Sequence, residues 1–360
     1  MSYKFLRIGK IYPQFIQDLY RNKTELKNKS YQQQFEYIMN NFFGTADSWE
    51  YYLKKLNYET NQVVFNALTL QDTWAKEHNI KKSGIELLYE QIKYYKPEIL
   101  FIQVASIVND DFLIRIKKQI KELKLIIIHK SAPITTEELK IMAHADIVLT
   151  ATEGFRDYFE KQGINSSLIR HAFDPRVLNH INKYKEKINE IVFSGNIINQ
   201  VDFHNKRLEL IESFLNDPSL NLTIYGKIKN SYTYKQHILN QERFGINYYN
   251  TLTKYSICLN SHIDIAENYA GNMRMFESTG VGTCLLTDNK SNISKMFLDE
   301  EEIVTYNSKN DAIEKAKFLL NNPSISAEIA LKGQKRTLKE HTFNNRVLEF
   351  DYLVKQNLHN

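Results

Sequence analysis

Residues 255–287 read YSICLNSHIDIAENYAGNMRMFESTGVGTCLLT. The apolar run Ile257–Asn260 predicts a strand buried on both faces, and Cys284–Thr287 predicts another. Between them a loop carrying Asn268, Gly271 and Asn272 leads into a helix over Met273–Thr279, which Ser278 and Gly280 bring to an end. Strand, loop, helix and strand in so short a span form the repeating unit of an open parallel sheet with right-handed crossovers.

Working outward, the same alternation runs through residues 190–320. Strands are predicted at Ile191–Ser194, Leu220–Tyr225 and Ile303–Tyr306, and helices at Lys206–Leu215, Tyr248–Lys254 and Ala312–Leu320. From Ser324 onward the period is helical throughout. An earlier series has strands at Tyr3–Ile11, Gln62–Phe65, Ile99–Val104, Leu125–His129 and Asp146–Thr150, with helices between them. The two series are separated by a polar, Lys- and Asn-rich passage near residues 170–190. The expected architecture is α/β: two Rossmann-like, doubly wound parallel-sheet domains facing a cleft. Residues 1–170 are expected to form the first domain, residues 171–340 the second, and residues 341–360 a C-terminal helix packing back on the first.

Composition narrows the function classes. The 360 residues carry a formal net charge of only +5, with lysines spread along the whole chain. That argues against the concentrated basic stripe of a nucleic-acid binder and suits an anionic small ligand or a weak peripheral attraction to anionic lipid. No apolar run approaches the roughly 18 residues of a membrane-spanning helix. The opening MSYKFLRIGK lacks the apolar core of a secretory signal, so a cytoplasmic protein is expected, at most at the inner face of the membrane. Cys258 and Cys284 sit in strand-like runs without a CxxC pair and read as two buried thiols. Only 12 glycines occur, under half the usual share of roughly 7%, so each glycine at a turn is worth weighing singly.

In doubly wound sheets ligands bind at the carboxyl ends of strands. Here those ends are Gly195 and Asn196, Gly226 and Lys227, Asn260 to His262, and Thr287 with Asp288. Gly195 allows a tight turn after VFS, and the next helix brings Lys206 and Arg207 in its first turns. A glycine turn, a helix N-terminus and two cations suit a diphosphate, although neither GxxxxGK[ST] nor GxGxxG is present. Arg274 and Glu277, three residues apart, share one helix face. They read either as a phosphate clamp with a ribose-binding carboxylate or as a surface ion pair.

The stretch NMRMFESTGVGTCLLTD, then EEIVTYNSKNDAIEKAKFLLNNPSISAEIALKGQKRTLKEHTFNNR, resembles the C-terminal half of bacterial glycosyltransferases of the GT-B fold. It is most similar to the branch that includes CgeB-like, spore-maturation-type glycosyltransferases. The resemblance lies in Arg274, Phe276–Glu277, the small residue and glycine before the strand, then Ile329, Ala330 and Gly333, and finally His341, Thr342 and Arg346. It covers residues 190–350 and is only topological over residues 1–150. It implies that Glu277 holds the donor ribose, that Gly195 turns beside the diphosphate, and that Lys206 or Arg207 faces it. Asn260, His262, Asn268, Gly271, Asn272 and Ser278 complete the expected donor pocket. Many retaining members carry a second glutamate where this chain has Tyr269, so the stereochemistry of transfer stays open.

An Asp-x-Asp pair, the usual holder of a divalent ion in sugar transferases, is absent from the sequence. The resemblance likewise implies no metal and no cofactor beyond the nucleotide-sugar donor. Asp110 and Asp111 read as helix-capping residues. An acceptor hydroxyl needs a base; the candidates are Asp47, Asp72, His129 and His171. Trp49 and Trp74 follow the two aspartates and either stack on a sugar or belong to the core. The aromatic N-terminal helices read as core packing or as an amphipathic acceptor-side surface. The acceptor is expected to be a glycan, a lipid-linked sugar or a small molecule. A nucleotide-sugar epimerase, a non-catalytic carbohydrate-binding protein and a DNA glucosyltransferase remain as rivals.

Overall fold

The computed structural model describes residues 2–182, 184, 186–198, 205–226, 228–229, 239–263 and 268–359. Its contacts divide the chain into two compact units, Met1–Ile169 with Val347–Asn360, and Arg170–Arg346.

The first unit holds β1 (Lys4–Gly9), β2 (Glu59–Val64), β3 (Ile99–Ile102), β4 (Leu125–His129), β5 (Ile147–Thr150) and β6 (Ser166–Leu168). All pairings are parallel in the order β2-β1-β3-β4-β5-β6. The central strands are the continuous apolar runs that parallel strands covered on both faces require. The edges differ from expectation: β2 begins at Glu59 rather than Gln62, and β6 is a strand that apolar runs do not announce. An edge strand pairs on one side only, so polar residues such as Glu59 and Ser167 are tolerated there. Helices α1 (Pro13–Asn22), α2 (Tyr31–Met39), α3 (Ser48–Lys54), α4 (Leu68–Glu77), α5 (Gly84–Tyr95), α6 (Asp110–Gln119), α7 (Thr136–Met142) and α8 (Glu153–Lys161) connect the strands.

One expectation in this unit is corrected, and one pair of alternatives is decided. The cap of α6 is Asn109, whose side chain accepts from the Phe112 N–H at 2.9 Å, so Asp110 and Asp111 are first-turn residues. Asn109 alone has the extended backbone that lets a side chain reach back to the third helical N–H. Trp49 and Trp74 are buried in the core. Trp74 stacks on His78 at 4.0 Å and donates to Tyr95, so neither indole offers a face to a sugar. The C-terminal residues of the chain complete the same core: Phe350 packs against Phe5, Trp49 and Phe101, and Tyr58 donates to Asp351 at 2.7 Å.

The second unit holds β7 (Ile188–Ser194), β8 (Ile197–Ile198), β9 (Leu222–Tyr225), β10 (Ile228–Lys229), β11 (Leu239–Asn240), β12 (Tyr255–Leu259), β13 (Cys284–Asp288) and β14 (Val304–Tyr306). The main sheet is parallel in the order β11-β9-β7-β12-β13-β14, and β8 pairs with β10 apart from it. Around it lie α9 (Asn205–Leu215), α10 (Gly245–Lys254), α11 (Met273–Gly280), α12 (Lys309–Asn321), α13 (Pro323–Glu340) and the start of α14 (Phe343–His359). Ile191, Phe193, Ile211, Phe214, Ile257 and Leu286 are central members of its core. Cys258 and Cys284 are buried free thiols.

Most of the residues that carried the family resemblance prove to be packing residues. Gly333 lets α13 approach the 302 carbonyl: a Cβ there would stand 2.2 Å from the Glu302 oxygen. Gly280 faces the Phe173 ring, which a Cβ would meet at 2.4 Å, so this glycine seats an aromatic side chain and not a ligand. Arg346, buried, donates to the Arg170 carbonyl at 3.0 Å and to His341 Nδ1 at 3.1 Å.

Candidate functional site

Chain order runs outward from β7 to β11 on one side of the second sheet and from β12 to β14 on the other. The switch point therefore lies between β7 and β12, where an open α/β sheet forms a crevice at its carboxyl edge. Gly195 and Asn196 end β7 there, and Asn260, Ser261 and His262 follow β12.

Two guanidinium groups converge on this point from different helices. Arg274, in the first turn of α11, donates from Nη1 to Asn260 Oδ1 at 3.0 Å. Its Nη2 stands 2.7 Å from where a Cβ on Gly195 would be, so only glycine admits it in this position. Arg207, in the first turns of α9, donates from Nη2 to the Ser261 carbonyl at 2.6 Å and reaches the Asn196 carbonyl at 3.5 Å. Both Nε atoms are buried without a hydrogen-bond partner. Neither arginine forms an ion pair with a carboxylate among the described residues. Burial, followed by the proximity of Arg274, lowers the Arg207 pKa to about 10. Like charges held together out of water are unfavourable by themselves and favourable around an anion. Lys206, adjacent to Arg207, is exposed, so of the two cations α9 turns Arg207 toward the strand ends.

Asn260 is the hub of the arrangement and is fully buried. Its carboxamide accepts from Arg274 and from Asn272 Nδ2 at 2.9 Å, and donates to Thr287 at 2.9 Å. Asn272 caps α11 by accepting from the Met275 N–H. Asn260 thus positions the cation and the helix N-terminus rather than lining a pocket. The turn at Gly226 closes against Gly195, whose carbonyl a Cβ would meet at 2.1 Å. Asn196 donates to Glu242 at 2.6 Å. Lys227 lies outside the described residues.

Glu277 is buried one helical turn after Arg274. Tyr248 Oη donates to its Oε2 at 2.9 Å. Burial raises the Glu277 pKa, against the opposing effects of Tyr248 and Arg274. On the β13 side, Asp288 Oδ1 accepts from both His262 N (3.0 Å) and His262 Nδ1 (2.7 Å), and Lys290 Nζ stands 3.4 Å from Oδ2. Burial would raise the Asp288 carboxyl, but His262 and Lys290 outweigh it and hold the pKa low. Tyr248 and Lys290 went unrecognised in the sequence, and Asp288 was read only as a strand end. The paired tyrosines ahead of the β12 run and the Asp at the tail of β13 are the signals that mark them.

The remaining expected residues are placed as follows. Ser278 is corrected: its hydroxyl donates to the Arg274 carbonyl at 2.7 Å and is fully buried, so it serves the helix and not a donor. Asn268 is exposed, and its carbonyl accepts from Ser291. Gly271 is half-buried in the turn before α11. His171 is half-buried near the start of the second unit. In the first unit, Asp47 precedes α3, in a segment where Phe42, Gly44 and Ala46 take positive φ. The fully buried Arg7 clamps that segment through Glu50, Thr45 and the Ala46 carbonyl. Asp72 is corrected from a loop residue to an exposed position inside α4. His129 ends β4 with its pKa pushed down to about 4 by burial. Among the described residues no three His, Cys, Asp or Glu side chains gather to hold a metal. Among them, too, no helix is long and apolar enough to cross a membrane.

The two parallel-sheet units are those of the GT-B fold, seen in solved structures of 8–12% identity. Anabaena Alr3699/HepE in complex with UDP and glucose matches with a TM-score of 0.64 at 8% identity, over 99% of this chain and 100% of that one. A glycosyltransferase from Rickettsia africae matches at 0.63 and 10% identity, over 100% and 99%. A putative UDP-N-acetylglucosamine 2-epimerase from Listeria monocytogenes matches at 0.57 and 12% identity, over 100% and 97%. Residues 206–351 match the model of the glycosyl transferase-like family. The likeness is thus one of fold across the chain and of family over residues 206–351. No curated protein sequence matches the chain.

Proposed function

We propose that the protein moves a sugar from a nucleotide-diphosphate sugar to a glycan, lipid-linked or small-molecule acceptor, without a metal. The observation that carries this reading is the convergence of the buried Arg207 and the half-buried Arg274, both without a carboxylate partner among the described residues, beside Gly195 at the switch point. A departing nucleoside diphosphate gathers negative charge on its terminal phosphate. Two fixed guanidiniums and the N-terminus of α11 stabilise that charge without reorganising. Glu277 accepts the ribose hydroxyls, with Tyr248 orienting the carboxylate. The pattern of Arg274, Phe276 and Glu277 before a small residue and a glycine supports affiliation with the CgeB-like branch.

For the acceptor proton, Asp47 and His171 are the better candidates on intrinsic chemistry. A histidine with a pKa of about 4 is a poor base at neutral pH, and Asp72 lies on the open surface of a helix. Phe42 and Ala46, non-glycine residues at positive φ beside the buried Arg7 clamp, are the kind of stored strain that accompanies function.

The test is a thermal-shift panel of UDP, GDP, ADP, dTDP and CDP with their sugar conjugates, repeated on Arg207→Met. Each lost charged hydrogen bond is worth about 1.5–3 kcal/mol, or about 10–100-fold. The variant should lose that much affinity for the diphosphate and far less for the monophosphate. A folded wild type that no nucleotide stabilises overturns the reading. Inversion of a ring carbon on incubation with donor alone would replace transfer by epimerisation.

A further inference from the structure

The second unit carries a separate cavity of about 480 Å³, at the strand ends beyond Asp288. That volume is within the roughly 300–1,000 Å³ typical of small-ligand pockets. Asn289 and Lys290 follow β13, Asn307 follows β14, and Asn268 comes from the loop before α11.

Its lining is polar, and its one cation is paired. Lys290 is engaged with Asp288. Asp299 accepts from the Thr305 N–H at 2.7 Å and the Thr305 hydroxyl at 2.6 Å. Asp299 keeps its charge, and the other polar groups toward the cavity are uncharged. Asn289 Nδ2 donates to Asn307 Oδ1 at 3.1 Å, which leaves one acceptor on the first and one donor group on the second. The carboxamide of Asn268 and the hydroxyl of Ser294 have no protein partner among the described residues. Beside these groups lie Phe297 and Leu298, the latter 49% exposed.

The walls are tied together. Ser291 donates from its backbone and its hydroxyl to the Asn268 carbonyl, at 3.0 and 2.8 Å. The Asn292 carboxamide brackets Ala270, accepting from its N–H at 2.7 Å and donating to its carbonyl at 2.9 Å. A ligand therefore meets a shape already formed, which lowers the entropy lost on binding.

Neutral donors and acceptors in alternation, next to an apolar surface, match one chemistry well. A sugar ring has hydroxyls around its edge that both donate and accept, and C–H faces that seek apolar contact. An anion finds no uncompensated cation here, and a purely apolar ligand would strand the three carboxamides. We propose that this cavity is a subsite for an uncharged saccharide unit, separate from the diphosphate centre. The inference goes beyond donor binding and stands without it.

Ser294 is exposed, so Ser294→Trp fills the cavity without disturbing the core; Asn289→Ala/Asn307→Ala removes the amide pair instead. Saturation-transfer NMR with maltose, lactose, chitobiose and methyl α-mannoside reads saccharide binding, and calorimetry with nucleoside diphosphates reads the other site. The expected result is transfer to at least one saccharide in the wild type. It should weaken at least about tenfold in both variants, with nucleoside diphosphate affinity within about twofold. If the variants also reduce nucleotide-sugar affinity to that of the bare diphosphate, the cavity is the donor's own sugar pocket and the proposal of a separate subsite is overturned. If they leave it intact, the saccharide is the acceptor's. Saccharide signals unchanged in both variants, or none from folded wild type, overturn the proposal. Failure of every nucleotide to bind would fall on the donor reading alone.

Discussion

Nη2 of Arg274 lies 2.7 Å from the point at which a Cβ on Gly195 would stand. The turn after β7 and the first turn of α11 therefore fit each other only while that position has no side chain. Gly195→Ala should push the guanidinium off Asn260 and weaken nucleoside diphosphate binding about tenfold or more, since a forced overlap costs about 1–3 kcal/mol. Calorimetry reads the change directly. An affinity equal to wild type would mean that Arg274 is not seated for the phosphate by this contact.

The carboxylate of Glu277 is buried, with Tyr248 donating to Oε2 at 2.9 Å and Tyr249 beside it. A site built to accept hydroxyl hydrogens discriminates strongly against an analogue that lacks them. The wild type should bind a ribonucleoside diphosphate better than its 2′-deoxy counterpart, and Glu277→Ala should bring the two affinities together. A ribo-to-deoxy ratio that survives the substitution would remove Glu277 from the ribose.

The strands that build the switch point were legible because β7, β12 and β13 are short, continuous apolar runs, each ending in a polar or glycine residue. Of the polar edge strands, β6 was not and β2 only in its second half, because one-sided pairing relaxes the apolar pattern. The site divides along the same line. Arg274 and Glu277 share a helix face, and that much their spacing alone predicts. The His262–Asp288 and Tyr248–Glu277 contacts join residues 26 and 29 positions apart through tertiary packing. No local period encodes such a pairing. Ser278 misled for the opposite reason: its place beside Glu277 is visible, but the hydrogen bond of its hydroxyl to its own helix is not.

Gly280 and Gly195 look alike as scarce glycines near a predicted site, and the structure separates them. A Cβ on Gly280 would meet the Phe173 ring at 2.4 Å, away from the guanidiniums. Gly280→Ala should lower stability by about 1–3 kcal/mol through overpacking, while nucleotide affinity stays at the wild-type value. A denaturant midpoint paired with a titration decides it. Loss of affinity without loss of stability would return Gly280 to the ligand site.

His341 ties the second unit together in one protonation state. Arg346 Nη2 donates to its Nδ1 at 3.1 Å, so Nδ1 is the acceptor and Nε2–H donates to the Met296 carbonyl at 2.9 Å. A second proton would set two donors against each other. Burial, followed by the nearby arginines, pushes its pKa down to about 4 from the ordinary 6.5. The unfolded chain therefore takes up a proton that the folded one refuses. The stability from the neutral ring is fully present above pH 6.5 and is lost as pH falls toward 4, with a limiting slope of about 1.4 kcal/mol per pH unit. His341→Leu should start less stable at pH 7, for want of two hydrogen bonds, and lose stability more slowly on acidification, by about one proton's slope. Some slope should persist in the variant, since His129 is depressed in the same sense. Urea unfolding of both proteins between pH 7 and 4.5 measures the difference. Parallel curves would show that His341 is as readily protonated folded as unfolded, and the buried Arg346–His341–Met296 chain could not then hold the geometry described.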